Sequence, residues 1–243
     1  MKRAIVIGAS SGMGKEVSQL LLADGWQLGV GARRIEALEE LRKLKTESVV
    51  TAAIDVMTED APQRLEQLIE KNGGMDLFFL ASGIGKQNPN LDTDIELRIV
   101  ATNGMGFTRM VDTAFNWFAS HGRKGQIAVI SSIAGVKGLG MAPSYSATKA
   151  FQNTYIEALT QLAHMRHLDI SFTDIRPGFV KTDLLNDGKN YPLLMDKTTV
   201  AKKIVRAINH KRSVQIIDWR YQVLVFFWRL IPRCLWVKLA IKN

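Results

Sequence analysis

Short apolar runs rich in β-branched residues alternate along the whole chain with longer segments of helical period, and this alternation constrains the fold more than any other feature. A short apolar run between turn signals reads as a strand buried on both faces. The longer amphipathic segment that follows can carry the chain back over the sheet to start the next parallel strand. Strands are expected near residues 3–7, 27–31, 49–54, 77–81, 126–131, 170–175 and 214–217, and helices near 12–23, 35–43, 61–71, 93–120, 143–167 and 198–210. Right-handed crossovers then give an α/β fold: a Rossmann-like, doubly wound, seven-stranded parallel sheet with helices on both faces and ligands beyond the carboxyl ends of its strands.

At 243 residues, 47% of them hydrophobic, the chain can bury a full core. No repeat or linker divides it, so one domain is expected, with 1–217 as the Rossmann-like catalytic body and 218–243 as a C-terminal extension of it. Cys234 is the single cysteine and cannot form an internal disulfide, and the opening Met1-Lys2-Arg3 does not lead into a signal-peptide pattern. These features point to a reducing, cytoplasmic compartment.

The net charge of +9 is concentrated at one end: residues 1–199 hold 22 Lys/Arg against 22 Asp/Glu, whereas 200–243 hold 10 against the lone Asp218. Residues 218–243 are also strongly apolar, but Arg229, Pro232, Arg233 and Lys238 interrupt them too often for a bilayer span. Pro232 suggests two short helices with a break between them. Trp219, Trp228 and Trp236 among arginines suit the interface of an anionic membrane, at its cytoplasmic face. A second subunit, in a homodimer or homotetramer, would bury the same aromatics, and both readings stay open. The segment is too apolar for a phosphate-tracking surface, so nucleic acid is not expected.

Gly8-Ala9-Ser10-Ser11-Gly12-Met13-Gly14 joins the first expected strand to the first helix. Without side chains there, backbone N–H groups and a helix N-terminus can approach a pyrophosphate. The spacing is GxxxGxG, not the commoner GxGxxG, and a tight turn alone would also explain the glycines. At the end of the second strand a carboxylate would accept from the adenosine ribose hydroxyls and repel a 2′-phosphate. The chain instead reads Gly31-Ala32-Arg33-Arg34, offering cationic forks suited to a phosphate, so NADPH (NADP+) is expected over NADH unless the arginines are merely a solvated helix start. Asp55, ending the third strand, suits either the adenine amino group or a helix cap.

Tyr145-Ser146-Ala147-Thr148-Lys149 lies in a helical segment, placing Tyr145 and Lys149 on one face at i and i+4. An ammonium beside a phenol favours the phenolate and lowers its pKa toward a range usable for proton transfer. Such pairs are common on ordinary helices; this one gains meaning from Ser131-Ser132 at the end of the fifth strand and from Asn103 in the preceding long helix. A serine hydroxyl beside the tyrosine can hold a carbonyl oxygen and share the charge that develops on it. No metal is expected in the site.

Taken together, these motifs resemble the short-chain dehydrogenase/reductase family from Gly8 to beyond Thr182: the GxxxGxG turn, Asn103, Ile130-Ser131-Ser132, the YxxxK motif, and Pro177-Gly178-Phe179-Val180-Lys181-Thr182 after the sixth strand. The resemblance implies an oxidoreductase moving a hydride between a nicotinamide and a ketone or secondary alcohol. In it Tyr145 would exchange the proton and Ser132 would orient the carbonyl. Lys149 would bind the nicotinamide ribose and lower the Tyr145 pKa, and Asn103 would anchor a water of the proton relay. Pro177, Gly178, Val180 and Thr182 would flank the nicotinamide. One departure is Leu80-Ala81-Ser82-Gly83 where the family usually has Asn-Asn-Ala-Gly; this puts local packing in question, while Gly83 still lets the backbone approach the adenosine ribose.

Residues 183–195, carrying Leu184, Leu185, Tyr191, Leu193, Leu194 and Met195, are expected to close over an apolar or lipid-like substrate, unless they simply pack on the core. The rival to an enzyme is a non-catalytic dinucleotide-binding regulator or scaffold on the same fold, which would have no need for the intact catalytic groups.

Overall fold

The computed structural model describes residues 1–182, 185 and 191–241. The expected runs form seven strands, β1 (Arg3–Ile7), β2 (Gln27–Ala32), β3 (Val49–Ala53), β4 (Leu77–Leu80), β5 (Gly125–Ile130), β6 (Ile170–Arg176) and β7 (Val214–Ile216). All pair in parallel, in the order β3-β2-β1-β4-β5-β6-β7. The direction of winding reverses between β1 and β4, which opens a crevice at their carboxyl ends.

Strand alternation divides the core into two layers. Ala4 and Val6 of β1 face α1 (Gly12–Ala23), α2 (Ile35–Arg42) and α7 (Lys197–Asn209), whereas Ile5 and Ile7 face α3 (Ala61–Lys71), α5 (Phe107–Ser120) and α6 (Pro143–Met165). The strands at the centre, β1 and β4, therefore read as nearly continuous apolar runs, because both sheet faces are covered there.

One expected helix departs from a regular form. Residues 93–120 are α4 (Thr93–Val100), a π-helical turn over Ala101–Gly106, and α5. Two contacts hold that turn. The Asn103 side chain accepts from Ile84 N at 2.9 Å and donates to Ile84 O at 2.7 Å, and Gly106 lies so close to Val56 that a Cβ would sit 2.7 Å from its side chain. Such widened turns release backbone groups from the helix ladder and recur at functional sites.

After β7 the chain forms α8 (Trp219–Leu230) and α9 (Arg233–Trp236), separated at Pro232 as the sequence suggests. Tyr221 and Val225 of α8 enter the first core layer, so the extension is built into the body. Trp236 Nε1 donates to Gly138 O at 2.8 Å, and Lys137 Nζ donates to Ile231 O at 2.9 Å. No helix among the described residues is long and apolar enough to cross a membrane.

Candidate active site

A cavity of about 890 Å³ occupies the crevice at the carboxyl ends of the strands, a size that suits a cofactor and a small substrate together. Gly8, Ser10, Ser11, Gly12, Met13, Gly14, Arg33, Arg34, Asp55 and Gly83 line one end. Ser132, Tyr145, Lys149, Pro177, Gly178, Val180 and Thr182 line the rest. Of the catalytic and cofactor-binding residues expected from sequence, Asn103 does not line it, being fully buried behind the wall.

The glycine turn suits a dinucleotide on structural grounds. Gly8 has φ +93°, and a Cβ on it would lie 2.6 Å from Ser82 N; a Cβ on Gly14 would lie 2.1 Å from Gly8 O. A side chain at Gly8 would push the turn off the end of β4, and one at Gly14 would push α1 off the turn. Ser11, preceding α1, makes no side-chain capping bond, so the first N–H groups of the helix stay available to an anion. The Leu80-Ala81-Ser82 departure leaves the sheet register intact: Ala81 N donates to Ile7 O at 2.8 Å, continuing the β1–β4 pairing.

Ala32 is buried at the end of β2, and Arg33 and Arg34 are exposed beside it. Asp55 is no helix cap. Its Oδ1 accepts from Met57 N at 3.1 Å in a local turn, and Asp60 precedes α3.

At the other end, Ser132 ends the β5 segment and its Oγ accepts from Ala134 N at 3.1 Å. Its hydroxyl is hydrogen-bonded to Tyr145 of α6. Lys149, one turn further along α6, is almost fully buried, with Nζ 5.7 Å from the Tyr145 ring centre. Nζ donates to Ile130 O at 3.0 Å and to Gln152 Oε1 at 2.9 Å. Burial lowers the Lys149 pKa to about 8, against the opposing pull of the Asp174 carboxylate. Burial pushes the Tyr145 phenol above its ordinary value, and the Ser132 hydrogen bond works the other way. The shift is thus opposite to the lowering that the i, i+4 spacing suggested, because desolvation of the buried phenol dominates.

Three groups of this site were not singled out from sequence. Asp174, interior to β6, is buried and accepts from the Ser131 hydroxyl and, at 2.7 Å, from Arg176. A charged residue inside an apolar strand was the available signal. Gln152 stands three residues after Lys149, hence on the same helix face. Tyr221 of α8 carried no local signal. Its hydroxyl accepts from Phe179 N at 3.0 Å and lies 3.1 and 3.2 Å from the carbonyls of Pro192 and Leu193, while its ring covers Gly178 so closely that a Cβ there would fall 2.2 Å away. It ties the Pro177–Thr182 loop to the returning chain.

In the expected covering segment, Leu185, Tyr191 and Leu193 line the cavity, Met195 is buried in the core and Leu194 is exposed. Leu184 lies outside the described residues.

The chain has relatives across species. The family model for short chain dehydrogenase matches residues 2–190. The chain belongs to the short-chain dehydrogenase family. It is 27% identical to an uncharacterized oxidoreductase of Mycobacterium tuberculosis, over 97% of this chain and 93% of that one. A second uncharacterized oxidoreductase, from Myxococcus xanthus, is 28% identical over 95% of this chain and 93% of its own. Dehydrogenase/reductase SDR family member 7B of Bos taurus is 28% identical over 94% of this chain and 77% of its own. Membership makes the protein an NAD(P)-dependent oxidoreductase that binds a nicotinamide dinucleotide.

Proposed function

We propose that the protein is an NADPH-dependent reductase of apolar ketones, running in reverse as a secondary-alcohol dehydrogenase. The observation that carries this reading is the meeting of Ser132, Tyr145 and Lys149 at one end of a cavity whose other end is the glycine turn and Arg33. Bound NADPH supplies the hydride. The Ser132 hydroxyl holds the carbonyl oxygen and shares its developing charge, and Tyr145 delivers a proton to that oxygen. The Lys149 ammonium stabilises the phenolate left behind and binds the nicotinamide ribose, while Asn103 anchors a water of the proton relay. Gly8 to Gly14 receive the pyrophosphate, Asp55 faces the adenine, and Gly83 leaves room for the adenosine ribose. Pro177, Gly178, Val180 and Thr182 flank the nicotinamide. Exposed guanidiniums at Arg33 and Arg34, with uncharged Ala32 where a carboxylate would repel phosphate, support the preference for NADPH.

An apolar substrate is supported by Ile133, Leu139, Leu185, Leu193, Leu224 and Trp228, which line the substrate end. The extension supports an origin at a membrane surface. On α8, Trp219, Val223, Phe226, Phe227 and Leu230 form an exposed stripe at helical period opposite the core-facing stripe, with Arg229, Arg233 and Lys238 exposed around it. An apolar stripe rimmed by cations fits an anionic lipid surface on the cytoplasmic side.

The test is a panel of ketones of rising chain length with NADPH consumption as the readout, for the native protein and Tyr145→Phe. Turnover should rise with chain length and fall by several orders of magnitude in Tyr145→Phe, with NADPH affinity retained. A Tyr145→Phe protein that keeps most of its turnover contradicts the mechanism. Cofactor binding with no turnover on any ketone or alcohol favours the regulator reading.

A further inference from the structure

Lys149 is held from behind by a side chain that has no part in the scheme above. Gln152, itself buried, uses both ends of its amide: Oε1 accepts from Lys149 Nζ at 2.9 Å, and Nε2 donates to the Asn103 backbone carbonyl at 2.8 Å. That carbonyl belongs to the π-helical turn of residues 101–106. The amide therefore spans the gap between the lysine and Asn103.

We propose that Gln152 is a positioning residue that fixes the Lys149 ammonium and the π-helical turn to each other through one side-chain amide. A water in such a place exchanges and must be ordered each time, whereas the glutamine is held by its own helix. The other groups facing the ammonium are the Ile130 carbonyl, the Tyr145 ring and, at longer range, the Asp174 carboxylate, which is itself paired with Arg176. Gln152 makes a hydrogen bond to the ammonium, and Asp174 acts on it through its charge. The inference rests on Lys149 having the role proposed above.

Two substitutions of opposite character test it. Gln152→Leu keeps the volume and removes both hydrogen bonds. Gln152→Ala opens space for a water between two polar groups, Lys149 Nζ and Asn103 O, which is the condition for hydration. A bridging role ranks Ala above Leu: Leu should lower kcat/KM about tenfold and move its alkaline limb down by about one pH unit, because the ammonium loses a hydrogen-bonded acceptor. Ala should stay close to the native protein in both. A packing role ranks them the other way, since Leu fills the space and Ala leaves a void. The second readout is independent of turnover: titration of the Lys149 side chain by NMR of ¹³C-lysine protein without cofactor should show the same downward shift in Leu and not in Ala. Equal titration of Lys149 in native and Leu proteins, or Leu outperforming Ala, overturns the proposal. If the lysine titration shifts as expected while kcat/KM does not respond, the link between Gln152 and Lys149 stands and the role assigned to Lys149 fails.

Discussion

Tyr221→Phe removes one oxygen from a side chain that joins the C-terminal extension to the active site. The ring remains and still covers Gly178, so no cavity opens and the roughly 3–5 kcal/mol that truncation of a large aromatic costs is avoided. What is lost is the acceptor for Phe179 N, at 3.0 Å, and the contact with the carbonyls of Pro192 and Leu193. Leaving a buried backbone donor without a partner costs about 1–3 kcal/mol. The Phe179 side of the bond is partly exposed, which places the loss in the lower half of that range. For a chain of this length each kcal/mol moves Tm by roughly 2–4 °C, so a fall of a few degrees is expected by calorimetry. The same variant frees the loop on which Pro177, Gly178 and Val180 stand, without touching Tyr145 or Lys149. The KM for NADPH should therefore rise several-fold, with a smaller change in kcat. Tyr221→Ala should cost more in both measures, and an unchanged Tm with unchanged KM in Tyr221→Phe would refute the clamp.

Three further outcomes are expected. Arg33→Ala should raise the KM for NADPH strongly and that for NADH little; equal effects would remove Arg33 from the phosphate site. With Lys149 titrating near pH 8, kcat/KM for reduction should fall as pH rises through that value and the ammonium loses its proton; a flat profile from pH 7 to 9 speaks against the assignment. The stability effect has the opposite sign: the folded-state pKa lies below the 10.5 of a free lysine, so between about 8 and 10.5 the unfolded chain binds more protons and this group's contribution rises with pH. Finally, the protein should co-sediment with anionic vesicles and be released partly by salt, and replacing Phe226 and Phe227 with Gln should abolish this while leaving turnover on a soluble ketone intact. Truncation after Ile217 is unsuitable as this test, because it also removes Tyr221. Loss of a stable oligomer instead of vesicle binding would assign the exposed stripe to a subunit contact.

The strands and their parallel arrangement were legible in the sequence, because a sheet covered on both faces demands mostly apolar runs, with few polar residues such as Asp174 inside them. The glycine turn and the Tyr145–Lys149 pair were legible for a related reason: they depend on backbone conformation and on spacing within one element. Asn103 could be named, but not its setting, since a regular helix was the natural reading of 93–120 and only contacts with Ile84 and Val56 force the π-helical turn. Gln152 and Asp174 matter through what they face, which depends on the docking of α6 on the sheet and on the pairing of β5 with β6. The direction of the Tyr145 shift was likewise a tertiary result: spacing put an ammonium nearby, but burial, which no local pattern encodes, is the stronger influence. The C-terminal extension divides in the same way. Its composition and the break at Pro232 belong to the sequence, whereas Tyr221 closing on Phe179, Pro192 and Leu193 arises only when residues some thirty to forty positions apart are brought together by the fold.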